Sequence, residues 1–202
     1  IPMLESVKLL KSGGMEREAE ELLRYYEIHG EMLIKNGLCY PPHEVKYEQS
    51  IVAPAVHYLF QLYELTGKIL YLEEGKKQLA VLVLFNGHQP DFHMYENAVR
   101  HWDGYWFGKY KNLGDTFPHY WSSLSGVAFR EYEKITGERS YGVKAENSLR
   151  GVLSMINSDG SASCAYVYPF MVNNVRCQYA DPWANDQDWA LYYYLKEGKN
   201  YD

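Results

Sequence analysis

The chain has 202 residues, 20 basic against 26 acidic, with a net charge of −6 and no basic run of five or more. Phosphate recognition needs a concentrated positive footprint, so this balance excludes nucleic acid as a partner. The longest apolar stretch, from Leu79 to Phe85, is far too short to span a bilayer, which excludes a membrane span. Hydrophobic residues make up 47% of the chain, enough to bury the core of one domain over 1–202. Cys39, Cys164 and Cys177 form no C-x-x-C pair, so a zinc ribbon is excluded. Three free thiols point to a reducing, cytoplasmic compartment, and a Cys164–Cys177 bridge is the alternative. The first residue is Ile1, not an initiator Met, so a processed chain or a piece of a longer one is expected.

In chain order, Met15, Ala19, Leu22, Leu23 and Tyr26 fall on one helical face and predict a helix over 15–28. Met32 to Tyr40 reads as a β-hairpin turning at Asn36-Gly37. Val52, Val56, Leu59, Phe60 and Tyr63 predict a helix over 48–66, with Pro54 early in it and Gly67 as its stop. A second helix follows over 69–86. Gly104 to Gly108 is a short aromatic strand. Trp121, Leu124, Ala128, Tyr132 and Ile135 predict a helix over 118–136, stopped by Gly137. Ala145, Leu149, Val152, Leu153 and Ile156 mark the next, over 139–157. Tyr166 to Tyr179 reads as a hairpin around Asn173-Asn174, and a last helix is expected over 183–196.

The two Thr-Gly stops are related. Aligning Gly67 with Gly137, 70 residues apart, brings Tyr71 onto Tyr141, Leu79 onto Leu149 and Phe85 onto Met155. The unit is a helical hairpin, longer than tetratricopeptide or HEAT repeats, and successive units are joined by long excursions that lie on one side of the array. The expected fold is all-α: first-type helices (48–66, 118–136, 183–196) inside and second-type helices (15–28, 69–86, 139–157) outside an α/α toroid or part of one.

The Tyr-Glu…Thr-Gly helix ends, and the run Gly114-Asp115-Thr116-Phe117-Pro118-His119-Tyr120-Trp121 entering an inner helix, resemble the six-hairpin glycosidases and related polysaccharide lyases. The resemblance implies a carbohydrate-active protein with an oligo- or polysaccharide substrate. Six hairpins close such a ring and this chain supplies about three, so the missing half of the toroid, or self-association, is the expected partner.

Sugars are bound by flat aromatic faces and by carboxylates, and glycoside cleavage needs two carboxyls, one of them protonated. The densest constellation is His101-Trp102-Asp103-Gly104-Tyr105-Trp106-Phe107, followed by Asp115, His119 and Trp121. A second group is Asp181-Pro182-Trp183-Ala184-Asn185-Asp186. A glycoside hydrolase is therefore expected to use Asp103, Asp115, Asp181 and Asp186 as its acids. Trp102, Tyr105, Trp106, His119, Trp121, Arg176 and Trp183 would bind the sugar. The plainer account makes Asp103-Gly104 a turn and Asp115, Asp181 and Asp186 helix caps. Two alternatives stand beside the hydrolase: a polysaccharide lyase using His119, Tyr120 and Arg176, and a non-catalytic module that binds glycans or proteins. No metal-ligand spacing, phosphate loop or nucleophile elbow is present, and no cofactor is expected.

Overall fold

The computed structural model describes residues 2–38, 49–85, 115–163, 165–168, 171–172, 174–176, 180–181 and 187–198. Among these residues seven α-helices carry the fold: α1 (Pro2–Ser12), α2 (Glu16–Asn36), α3 (Gln49–Thr66), α4 (Ile69–Val83), α5 (Ser122–Thr136), α6 (Arg139–Gly151) and α7 (Gln187–Glu197). They alternate. α1, α3, α5 and α7 surround one cavity and are the inner helices, while α2, α4 and α6 return on the outside. This is the toroid-like, all-α arrangement of helical hairpins that the sequence pattern predicts.

The hairpin repeat has a shared chemistry at its turns. Thr66 Oγ1 donates to the Leu62 carbonyl at 2.6 Å and accepts from the Lys68 N–H at 3.2 Å. Thr136 does the same with Tyr132 at 2.8 Å and Glu138 at 3.2 Å. Each Thr thus ties off the last turn of one helix and the entry of the next. The glycine between them sits at φ 69° in one copy and 75° in the other, a left-handed conformation that L residues with a Cβ resist. The aligned pairs behave alike: Leu79 and Leu149 are buried, as are Phe85 and Met155.

One core cluster joins α3, α4, α5 and α6 through Val52, Val56, Phe60, Leu79, Leu82, Phe129 and Ala145. A second joins α1, α2 and α3 through Leu4, Val7, Ala19, Tyr26, Leu59 and Leu62. Helices approach closely where a glycine makes room. A Cβ on Gly75 of α4 would stand 2.5 Å from the Phe60 ring, and one on Gly126 of α5 would stand 2.6 Å from Leu149.

Among the described residues, five short strands lie in the long connections: β1 (Asp115–His119), β2 (Ala165–Tyr168), β3 (Met171–Val172), β4 (Val175–Arg176) and β5 (Ala180–Asp181). β2 pairs antiparallel with β1 on one side and β5 on the other. β3 and β4 form the hairpin expected around Asn173-Asn174, with Asn174 at φ 63° in its turn.

Four expectations need correction. The Asn36-Gly37 pair is not a hairpin turn: α2 continues through Met32 to Asn36, and Gly37, at φ 73°, ends it by donating its N–H to the Leu33 carbonyl. α1 was not foreseen, because its buried face shows only Leu4 and Val7 before the break at Gly13. The inner helix expected from 118 begins at Ser122, and 115–119 is strand instead. Pro54 is the sixth residue of α3, inside the helix and not in its first turn, so it removes one backbone bond there. The aromatic strand expected at 104–108 lies outside the described residues.

Candidate functional site

Among the described residues, the small sheet of β1, β2 and β5 lies beside the N-terminal end of α5. β1 runs directly into α5, and its pairing sets a row across the small sheet: His119 is opposite Ala165, which is opposite Asp181. Strand spacing puts the His119 and Asp181 backbones roughly 10 Å apart. Asp115 begins β1, opposite Tyr168, with the register shifting between Thr116 and His119.

His119 is almost fully buried, at 1% exposure, at the point where strand becomes helix. The Trp121 N–H donates to its Nδ1 at 3.1 Å. An Nδ1 that accepts carries no proton, so the neutral ring is assigned the Nε2–H tautomer. Tyr120 and Trp121 pack on the imidazole, with ring centroids 4.6 and 4.8 Å away. Tyr120 also meets Trp189 of α7 edge-on at 5.0 Å, which couples this junction to the next inner helix. Gln49, the first residue of α3, closes the junction from the other side. Its Nε2 donates to the Trp121 carbonyl and to Ser125 Oγ, both at 2.8 Å.

Of the residues expected at the site, His119 and Trp121 are brought together, with Tyr120 between them. Asp115, Asp181 and Arg176 are placed by their backbone in β1, β5 and β4. Trp102, Asp103, Tyr105, Trp106, Trp183 and Asp186 lie outside the described residues. Asp115 is not the cap of α5: Trp121 occupies the N-cap position and no side chain caps it. Sequence reasoning missed Gln49, whose only signal is a polar residue at the start of an apolar helix.

It also missed a second polar centre. Roughly two-thirds of the way along the inner helices lies a cavity of about 230 Å³ lined by all four of them. Ion pairs link the helices around it. Lys8 of α1 meets Glu64 of α3 at 3.2 Å, Lys134 of α5 meets Glu197 of α7 at 2.8 Å, and Lys196 of α7 returns to Glu5 of α1. Behind this circuit, buried Arg130 holds Glu133 at 2.6 Å and Glu146 at 3.3 Å, and donates to the Glu197 carbonyl.

Glu131 is the carboxyl without a lysine of its own. Burial, the charge of Glu64 and a hydrogen bond between the two carboxyls push it up to about 8, so Glu131 keeps its proton near neutrality. His57 Nδ1 stands 3.7 Å from Glu131 Oε2, a distance that would suit an ion pair. It is not one. Burial, with Lys196, Lys134 and Lys8 adding to it, holds His57 down to about 3, so a neutral imidazole faces a protonated carboxyl. Gln61 Nε2 lies 2.8 Å from His57 Nε2 and donates to it. No group of His, Cys, Asp or Glu among the described residues converges well enough to hold a metal ion. Likewise, no described helix is long and apolar enough to cross a membrane.

Neither protein-family profiles nor curated proteins give a match to this sequence. Among solved structures, one described as a polysaccharide lyase is 50% identical over 94% of this chain and superposes with a TM-score of 0.77. The chain spans 28% of the length of that protein. This chain is therefore similar, in sequence and in its toroid-like fold, to a part of a polysaccharide lyase.

Proposed function

We propose that this chain is part of a polysaccharide lyase that cleaves uronic-acid polymers by β-elimination. The observation that carries the reading is the 50% identity, over nearly the whole chain, to a protein described as a polysaccharide lyase. The His119–Tyr120–Trp121 junction supports it with chemistry suited to moving protons.

In the elimination a base takes the proton from C5 of the uronate. That electron pair forms a C4–C5 double bond, the C4–O bond breaks, and the departing oxygen takes up a proton. Tyr120 is assigned the proton transfer to and from substrate, a role in which a positioned side chain is worth about 10²–10⁴-fold. His119, with its proton on Nε2, serves as the donor that supports it. Arg176 is assigned the uronate carboxylate, where a cation stabilises the charge that builds up as C5 loses its proton. Trp121, with Trp102, Tyr105, Trp106 and Trp183, offers flat faces to the sugar. In this reading Asp103, Asp115, Asp181 and Asp186 bind hydroxyls and do not act as paired acids. The ring is completed by further hairpins of a longer protein, in keeping with the share of the lyase that this chain spans.

The test is incubation of the full-length protein with alginate, hyaluronan and pectate. A lyase yields products with the ultraviolet absorbance of the C4–C5 double bond. Reducing ends without that absorbance would mean a glycoside hydrolase, and Asp103 with Asp115 would then be the acids to mutate. Binding without cleavage would mean a non-catalytic module.

A further inference from the structure

We infer that Gln49 is a positioning residue for His119, acting through the backbone of Trp121. The inference rests on the reading of the His119–Tyr120 pair as the proton-handling centre.

Gln49 is 1% exposed, and its amide is spent on a neighbouring inner helix and not on its own. The orientation of that amide is fixed by chemistry. A backbone carbonyl only accepts, so the atom 2.8 Å from the Trp121 oxygen must be the NH₂ group. Trp121 is thereby held at both ends of its backbone. Its carbonyl takes the Gln49 proton and the Leu124 N–H, and its own N–H is delivered to His119 Nδ1 at 3.1 Å. The residue sits at φ −66°, ψ −10°, the pivot between β1 and α5. Rotating that pivot withdraws the N–H from the imidazole, and Nδ1 is then available to a proton. This hydrogen bond selects the tautomer that carries its proton on Nε2. Gln49 secures it from 72 residues earlier in the chain.

Helix capping does not account for the arrangement. α5 begins without a side-chain cap, and Gln49 Oε1 has no hydrogen-bond partner among the described residues. A buried amide with one half unsatisfied carries a cost that packing alone would not select. Fixing the Trp121 carbonyl gives it a use.

The test is nitrogen-15 NMR of the histidine imidazoles in the full-length protein, assigned with His119→Gln, combined with cleavage of whichever of alginate, hyaluronan or pectate gives the double-bond absorbance. Gln49→Met keeps the volume and removes both donors, and Ser125→Ala removes only the other acceptor. For Gln49→Met the expectation is loss of the single Nε2–H tautomer and a fall in kcat of about tenfold or more, with KM within about twofold, because only the transition state is affected. Ser125→Ala should leave both readouts as in the parent. If Gln49→Met changes turnover but leaves the His119 tautomer intact, the positioning role is wrong. If Gln49→Met unfolds the protein, Gln49→Glu, isosteric but unable to donate when ionised, takes its place. A tautomer shift in Gln49→Met, in a parent protein that cleaves none of the three polymers, would keep the positioning role and remove the lyase reading.

Discussion

The two polar regions of the inner helices differ in kind, although α3, α5 and α7 contribute to both. At the N-terminal ends the polar atoms belong to a strand–helix junction: His119, the Trp121 backbone and Gln49, surrounded by aromatic rings. Further along the same helices, roughly 15 Å away along α3 and α5 at 1.5 Å per residue, they belong to long charged side chains paired across a cavity. The first region has neutral donors and acceptors that direct a tautomer. The second has charges that cancel, apart from one carboxyl kept neutral by a proton. Charge that is fully paired across neighbouring helices holds a ring together. A neutral imidazole beside a phenol is chemistry in waiting. On the proposed reading, turnover belongs to the junction, and the charged cavity serves to hold the inner helices together.

Tyr120→Phe should have the largest effect. Loss of the phenol is expected to lower turnover about 100-fold or more while leaving the melting temperature nearly unchanged, since the ring contact with Trp189 survives. Steady-state cleavage and a thermal melt check both halves. Next comes Arg130→Met at the other end. It removes the cation that buried Glu146 shares with Glu133, leaving Glu146 the more distant Arg150 at 3.9 Å, and is expected to cost about 3 kcal/mol in denaturant unfolding, with turnover per folded molecule retained. Gly75→Ala should cost less. A Cβ 2.5 Å from the Phe60 ring overpacks a closed core by about 1–3 kcal/mol, against a helix-propensity gain of about 1 kcal/mol.

The charged cavity also makes a prediction about pH. His57 is held near 3, below its ordinary 6.5, so the folded state binds fewer protons than the unfolded one between those values. Its contribution is therefore lost as pH falls from 6.5 towards 3. Glu131 is raised from 4.5 to about 8, so the folded state holds an extra proton in between. That contribution is lost as pH rises from 4.5 towards 8. Where the windows overlap, the two slopes oppose. The expected profile is a plateau at about 4.5–6.5 that falls on both sides. Glu131→Gln should remove the alkaline fall and His57→Leu should reduce the acid one, as read from melting temperature against pH. Lys8→Ala should be the mildest change: its ammonium is half-exposed, and breaking the pair with Glu64 is expected to shift stability by no more than about 1 kcal/mol.

Much of this architecture is written in local signals. The Thr-Gly stops were legible because the chemistry is confined to the seven residues from Leu62 to Lys68: a hydroxyl that bonds back one turn, and a glycine that reverses the chain. The apolar faces of α3 to α6 were legible for the same reason, since a 3.6-residue period is a property of one segment. Asn36-Gly37 misled because a left-handed glycine serves a hairpin and a helix end equally well, and only the helix reaching it from Glu16 decides between them. The junction was half legible. His119 and Trp121 stood out by composition, but their contact with Gln49 is made across 72 residues. The charged cavity was not legible at all. His57, Gln61 and Glu64 share a face of α3 adjoining its apolar stripe, and nothing within α3 reveals that Glu131 and Lys8 come to meet them. Pairing between helices is a property of the packed ring, and a single stretch of sequence holds only one side of it.

The most direct measurement compares Tyr120→Phe with Glu131→Gln in the full-length protein, following the double-bond absorbance and the melting temperature of each across pH. The account predicts that Tyr120→Phe loses at least about 100-fold in turnover with an unchanged stability profile, whereas Glu131→Gln keeps turnover within about threefold and loses the alkaline fall in stability. Turnover abolished in Glu131→Gln and retained in Tyr120→Phe would contradict it, and would place the chemistry in the charged cavity.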